Sequence, residues 1–265
     1  MQRSTQIPAN RRVLVTRAAH QAGKLSEGLR NLGTEPVEVP VLEIHPPEDF
    51  RALDSALGAL STYDWLLFTS ANSVRSLAER AVELGLGFAV PESARVAAVG
   101  ESTAEALRAL NLLVSFVPKE FVAESLVAGL SVYWPGKRVL LARAAAGHGV
   151  QPSDVIPNAL RSAGAGVDVV DAYRNVLPEE APALLRLALA SPIDAVTFAS
   201  SSSVTHFAEA AARAHIPFPL ARIPAVSIGP ITSQTLREHN WPPSAEADPH
   251  DIPGLIAAVA GLLAH

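Results

Sequence analysis

Asp64-Trp-Leu-Leu-Phe-Thr-Ser-Ala-Asn-Ser-Val74 and Asp194-Ala-Val-Thr-Phe-Ala-Ser-Ser-Ser-Ser-Val204 are one phrase written twice, agreeing at Asp, Phe, two Ser and Val. Each copy is a short apolar run that breaks into a Ser-rich turn and then takes up helical spacing. That is a strand feeding a helix N-terminus, where the first backbone N–H groups have no intrahelical partner and face whatever sits beyond the helix end. Two such sites suggest two similar domains offering donors to one anionic ligand.

Other blocks repeat in the same order. Arg11-Arg-Val-Leu-Val-Thr-Arg17 is echoed by Lys137-Arg-Val-Leu-Leu-Ala-Arg143, Leu29-Arg-Asn-Leu-Gly33 by Leu160-Arg-Ser-Ala-Gly164, and Val37-Glu-Val39 by Val167-Asp-Val-Val170. Val96-Ala-Ala-Val-Gly-Glu-Ser-Thr103 is echoed by Ala225-Val-Ser-Ile-Gly-Pro-Ile-Thr232. The offset is 126 from Arg17 to Arg143, 130 from Ser70 to Ser200 and 129 from Thr103 to Thr232. So small a drift over ordered blocks is a duplication rather than chance.

Hydrophobic periodicity fills in the elements. Strands are expected at 12–17, 37–44, 63–68, 95–99, 113–117, 137–143 and 167–171. Helices are expected at 23–32 with Gly33 as its stop, 53–60, 72–84, 102–110 and 122–130. The apolar stretch 252–264 is short of the ~20 residues a bilayer span needs and reads as a terminal helix covering a sheet. Strands alternating with helices specify two doubly wound parallel-sheet α/β domains, whose ligands bind beyond the carboxyl ends of the strands.

A chain of 265 residues has room for two cores, and 49% hydrophobic against 18% charged residues makes it globular. A net charge of −5 argues against general nucleic-acid binding but leaves room for a basic cleft. With no cysteine, disulfides, thiolate metal sites and a cysteine nucleophile are excluded, and a reducing cytosol is the fitting compartment. The polar start, 1–10, does not read as a signal peptide. The eight histidines show no metal spacing. His148 falls in a Gly-rich loop, and Asp248-Pro-His-Asp251 reads as a turn capping the last helix. No phosphate loop, dinucleotide fingerprint or serine-hydrolase elbow is present, so no cofactor and no metal are expected.

The candidate binding residues collect at the strand ends. Arg17 and Arg143 close equivalent strands, either as surface arginines or as anion contacts. Thr69, Ser70 and Asn72 in one copy and Ser200, Ser201 and Ser202 in the other exceed what one helix cap needs. Gly100-Glu-Ser-Thr103 and Gly229-Pro230-Ile-Thr232 are strand-to-helix turns in which glycine permits a close backbone approach and threonine caps or binds. Tyr173 follows a strand. It is either a half-buried structural tyrosine or a phenol that donates a proton or holds a carboxylate.

Val15-Thr-Arg17, Phe68-Thr-Ser-Ala-Asn-Ser-Val74, Val99-Gly-Glu-Ser-Thr-Ala104, Pro118-Lys-Glu-Phe-Val-Ala-Glu-Ser-Leu126, Tyr173 and Ile228-Gly-Pro-Ile-Thr232 together resemble uroporphyrinogen-III synthase over nearly the whole chain. The resemblance implies that the chain starts in one domain, crosses over, builds the second domain whole and returns. Domain 1 would be 1–38 plus 178–265 and domain 2 would be 45–170, joined by a two-strand crossover linker at 39–44 and 171–177. Arg17, Ser200 and Gly229 would line one wall of the site, and Ser70, Thr103, Arg143 and Tyr173 the other. The implied reaction closes the linear, carboxylate-rich tetrapyrrole hydroxymethylbilane to uroporphyrinogen III, with inversion of the last ring and loss of water. Tyr173 would be the catalytic residue, helping the hydroxyl leave or fixing substrate carboxylates. The protein would be a cytoplasmic monomer needing no membrane and no nucleic acid, in transient contact with the preceding enzyme. Two departures stand out: 199–203 lacks the proline common near Ser201, and Ile231 replaces a common threonine. The residues alone also allow a non-catalytic two-lobe α/β binding protein or an inactive synthase-like domain.

Overall fold

Every residue of the first strand is claimed by one of two opposite faces. In the computed structural model, which describes residues 10–118, 134–145 and 154–264, β1 (Arg12–Val15) turns Val13 and Val15 to one core and Leu14 to another. A strand whose alternate residues are apolar on both sides must be covered on both sides, as the continuous apolar run anticipates. Contacts divide the chain into two units, Met1–Glu43 with Val176–His265, and Ile44–Asn175.

The first unit carries β1, α1 (Ala19–Asn31), β2 (Glu35–Glu38), α6 (Ala181–Ala188), β8 (Ala195–Phe198), α7 (Ser201–Arg213), β9 (Ala225–Ser227), α8 (Pro230–Glu238), β10 (Ala245–Glu246) and α9 (Ile252–Leu263). Its sheet runs β10-β9-β8-β1-β2 with every pair parallel. On one face, Leu25 and Leu29 of α1 and Leu255 and Val259 of α9 pack on Val13, Val15 and Val226. On the other, Phe207, Leu236 and Trp241 pack on Leu14, Val196 and Phe198. The Trp241 ring lies 5.5 Å from Phe198 and 5.9 Å from Phe207.

The second unit carries α2 (Arg51–Gly58), β4 (Trp65–Phe68), α3 (Ala71–Glu83), β5 (Arg95–Ala98), α4 (Glu101–Ala109), β6 (Arg138–Ala144), α5 (Val155–Ser162) and β7 (Gly166–Val176). With β3 (Glu43–His45) on its edge, its sheet runs β3-β7-β6-β4-β5, and the β4, β5, β6 and β7 pairings are parallel. Leu66, Phe68, Val96 and Leu140 face α2, α3 and α4. Trp65, Leu67 and Leu141 face Trp134 and the α5 residues Ile156 and Leu160. A fully buried large apolar side chain contributes roughly 1.5–3 kcal/mol, and an exposed ion pair at most about 1. These four clusters therefore hold the fold.

The acid opening each repeated phrase has a folding role. Asp194 accepts from the Arg12 N–H at 2.8 Å and from Arg11 Nη1 at 2.6 Å. Asp64 accepts from the Arg138 N–H at 2.9 Å and from Lys137 Nζ at 2.7 Å. Each satisfies the first N–H of the neighbouring strand, so the two phrases are locked into register at their starts.

Two expectations are corrected. The strand expected at 37–44 is two strands, β2 and β3, in different sheets; Val39 and Val41 between them are buried in the first unit and bond back to Val15 and Thr16 carbonyls. The strand expected at 113–117 reduces to one bridge, Ala97 with Phe116, because only Ser115 N–H and Phe116 C=O bond with β5. Residues 171–176, which the resemblance places in the crossover, are the extended end of β7. The helix expected at 122–130, the motif from Lys119 to Leu126 and the loop containing His148 lie outside the described residues.

Candidate active site

Each unit sets two helix starts side by side at the carboxyl edge of its sheet. β4 and β5 pair Phe68 with Ala98, so α3 and α4 begin at one level. β8 and β9 pair Phe198 with Ser227, so α7 and α8 do likewise. Ser70 caps α3 by accepting from the Ser73 N–H at 3.1 Å, and Ser200 caps α7 by accepting from the Ser203 N–H at 3.1 Å. Ser73 and Ser203 are buried and donate back to the carbonyls of Ser70 and Ser200, which makes the last serine of each cluster structural. Ser201 and Ser202 occupy the first turn of α7 and are partly exposed.

α4 and α8 start at Gly100 and Gly229, which have no side chain to cap them. No cap side chain takes up their first-turn N–H groups, although in α4 the Thr103 N–H already turns to the Gly100 carbonyl at 3.1 Å. Pro230 supplies the first residue of α8 and gives up an N–H that the helix does not use. Thr103 and Thr232 are both the third helical residue and both buried, so the caps are the glycines and not the threonines. Gly229 has extended backbone (φ 171°), which any residue adopts. Its close neighbour is the His250 ring, 3.3 Å from where a Cβ would stand. The glycine thus also makes room for the loop before α9.

Tyr173 is buried and its phenol oxygen lies 3.1 Å from Ser70 Oγ. A bulge puts it there. The β6–β7 register shifts between Arg143, opposite Asp171, and Ala144, opposite Tyr173. Regular alternation would turn Tyr173 to the side of Asp171. The extra residue turns it onto the face of Val170 and Ala172, beneath α3. Burial pushes the phenol above its ordinary pKa of 10, against hydrogen bonds from the Ser70 and Asn72 side chains and the Arg75 charge, which favour the phenolate. Tyr173 is thus neither half-buried nor isolated.

The two equivalent arginines have diverged. Arg17 is partly buried, and desolvation lowers its pKa. It donates to the neutral carboxamide of Gln21 at 3.4 Å, and among the described residues no carboxylate pairs with it. Arg143 pairs with Asp154 at 2.9 Å and lies 3.8 Å from Asp171, so the protein already matches its charge. Burial raises the pKa of Asp171 despite that arginine. Thr69 turns its hydroxyl to the Ala142 carbonyl at 3.3 Å, a tie between β4 and β6. Asn72 accepts from Arg75 across one helical turn. Arg75 was missed from the sequence; its i,i+3 spacing from Asn72 was the available signal.

The family model for uroporphyrinogen-III synthase HemD matches residues 23–257. The chain belongs to the uroporphyrinogen-III synthase family. It is 35% identical to the uroporphyrinogen-III synthase of Synechococcus elongatus over 252 residues, 93% of either chain. Its fold is shared by a mutant uroporphyrinogen III synthase of the extremely thermophilic bacterium Thermus thermophilus, with TM-score 0.67, 23% identity and coverage of 96% of this chain and 98% of that one. It is shared also by the uroporphyrinogen-III synthetase of Helicobacter pylori 26695, with TM-score 0.61, 19% identity and coverage of 95% and 99%. The activity is that of the family, a cyclising lyase acting on a tetrapyrrole in haem biosynthesis, and the binding-protein reading finds no support. Among the described residues, no helix is long and apolar enough to cross a membrane, and no group of three or more acidic or histidine side chains could hold a metal ion.

Proposed function

We propose that Tyr173 is the acid that helps the hydroxyl of hydroxymethylbilane depart, while the helix starts at Ser70, Gly100, Ser200 and Gly229 and the guanidinium of Arg17 hold substrate carboxylates. The carrying observation is the buried phenol set 3.1 Å from the Ser70 hydroxyl at the start of α3. A phenol whose pKa is raised by burial keeps its proton at neutral pH and gives it up only as negative charge grows on a nearby oxygen. As the carbon–oxygen bond breaks, its electron pair goes to oxygen, the Tyr173 proton completes a water molecule, and an azafulvene cation remains. Ser70 and Asn72 support the transient phenolate. The cationic methylene carbon bonds to the substituted α-carbon of the last ring, and the bond from that carbon to its existing bridge breaks. The freed bridge carbon bonds instead to the ring's unsubstituted α-carbon, which inverts the ring. The proton lost from that carbon as the ring recovers its aromaticity restores the phenol. Holding the reactive ends in one geometry supplies the rest of the rate.

The test is product-isomer analysis with a hydroxymethylbilane-forming enzyme. Wild type is expected to give the type III isomer. Tyr173→Phe is expected to lose about 10²-fold in its formation, the lower end for general-acid loss, with the spontaneous type I isomer taking over. Full turnover by Tyr173→Phe would remove the phenol from the mechanism. We also infer a cytoplasmic monomer that meets the preceding enzyme only transiently, supported by the carboxylate-rich free substrate this reaction requires; a stable dimer in light scattering would overturn the monomer.

A further inference from the structure

The loop between β10 and α9 is pinned beside the start of α8. At its near end, the Ala247 N–H donates to the Ser227 carbonyl, the last of β9, at 2.9 Å. Glu246 accepts from Ser233 Oγ of α8. That hydroxyl has one hydrogen and a carboxylate only accepts, so Ser227 Oγ, 2.6 Å away, must donate to Ser233. Both serines are buried. At its far end, Asp251 caps α9 by accepting from the Gly254 N–H at 2.7 Å. A loop held at both ends lays the His250 ring against Gly229, 3.3 Å from where a Cβ would stand. An imidazole is thus fixed at the carboxyl edge of the sheet, next to the first residue of α8.

Its tautomer is fixed too. His250 Nδ1 lies 2.7 Å from the Ala247 carbonyl oxygen, and a carbonyl only accepts, so Nδ1 carries the hydrogen. The neutral ring then keeps its lone pair on Nε2, on the side away from Ala247. The residue is exposed. Arg17 and the helix-start N–H groups donate, which suits carboxylates. Each pyrrole of a tetrapyrrole also carries an N–H, and that group needs an acceptor. Asp248 and Asp251 flank His250 in sequence and are exposed, so their charge disfavours a carboxylate here and favours an N–H.

We infer that His250 is a substrate-binding residue whose Nε2 accepts a pyrrole N–H of the linear tetrapyrrole beside the start of α8. The inference rests on substrate lying at the helix starts. His250→Asn keeps a side-chain N–H for the Ala247 carbonyl but ends short of Nε2. Its KM for hydroxymethylbilane should rise about two- to tenfold, the scale of one neutral hydrogen bond, while kcat holds, as for binding shared by ground and transition states. His250→Gln reaches as far as Nε2 and can accept, so it should recover most of the loss. His250→Arg reaches as far and only donates, so its KM should rise at least as much as that of His250→Asn. Gln and Arg both give up the Nδ1 tie, so a structural role of the loop would move them together. Equal KM in those two, or a wild-type KM in His250→Asn, would overturn the inference. A KM lowered by His250→Arg would also overturn it, by showing that a carboxylate meets the ring. Arg17→Met separates the two levels: if it raises KM while the His250 variants do not, the helix-start reading stands and the His250 role fails. If none of these variants raises KM, that reading fails as well.

Discussion

The duplication supplies its own control for the Ser70–Tyr173 contact. Ser70 and Ser200 each cap a 13-residue helix by accepting from the N–H three residues on, at the same 3.1 Å. Replacing either by alanine removes that bond, at a cost of about 1 kcal/mol. Other ties survive both changes: Ser73 and Ser203 still donate to the carbonyls of residues 70 and 200, and in α3 the Ser70 N–H still donates to Ser73 Oγ. Only Ser70 also meets a buried phenol. Its loss removes a second hydrogen bond, of about 1 kcal/mol. Ser70→Ala should therefore loosen the first turn of α3 by about 2 kcal/mol, and Ser200→Ala that of α7 by about 1. Hydrogen exchange followed by mass spectrometry reads each helix separately, which matters because a chain of two units need not unfold in one step. The expected loss of protection is about fivefold at α7 and about thirtyfold at α3. Type III product should fall more in Ser70→Ala than in Ser200→Ala. Equal loosening of the two helices would show that the Tyr173 contact contributes nothing beyond the cap and would refute the reasoning.

Gly33 has a left-handed backbone with φ 81° and open space around it, whereas Gly229 has ordinary extended backbone and a close His250 ring. Gly33→Ala should lower stability by about 1 kcal/mol or more in denaturant titration, and Gly229→Ala by less, since alanine adopts its extended backbone and only the 3.3 Å approach to His250 must give. Burial, and then the hydrogen bond to Asp168, push the Tyr63 phenol up to about 12. Because that folded value exceeds the unfolded 10, its contribution is full below pH 10 and lost as pH rises through about 12. Tyr63→Phe should flatten the fall in stability across that window, and an unchanged slope would refute the assignment. Trp241→Ala removes a ring packed on Phe198, Phe207 and Phe218 and should cost about 3–5 kcal/mol in the first unit. Hydrogen exchange in β8 should rise while β4 stays protected.

Much of the fold was legible because its signals are local. Continuous apolar runs marked β1, β4 and β8, serine marked the starts of α3 and α7, and glycine marked the end of α1 at Gly33. The duplication by itself matched Ser70 with Ser200 and Thr103 with Thr232, and the residue types at the strand ends named an anionic ligand. What stayed hidden depends on residues far apart in sequence. Nothing local tells that β2 and β3 join different sheets, since alternation continues through Pro40 whichever sheet receives it. Arg17 and Arg143 look alike until Asp154 and Asp171 arrive beside one of them. Asp64 and Asp194 read as part of a ligand-binding phrase until Arg138 and Arg12 present their N–H groups. Tyr173 was named by its type and its place after a strand, but its orientation came from one extra residue in β7, which turns it from the side of Asp171 to that of Ser70. The sequence determined which groups stand at the helix starts, because caps and periodicity act over a few residues. Only the tertiary structure decided which of them meet, because pairing and register are long-range.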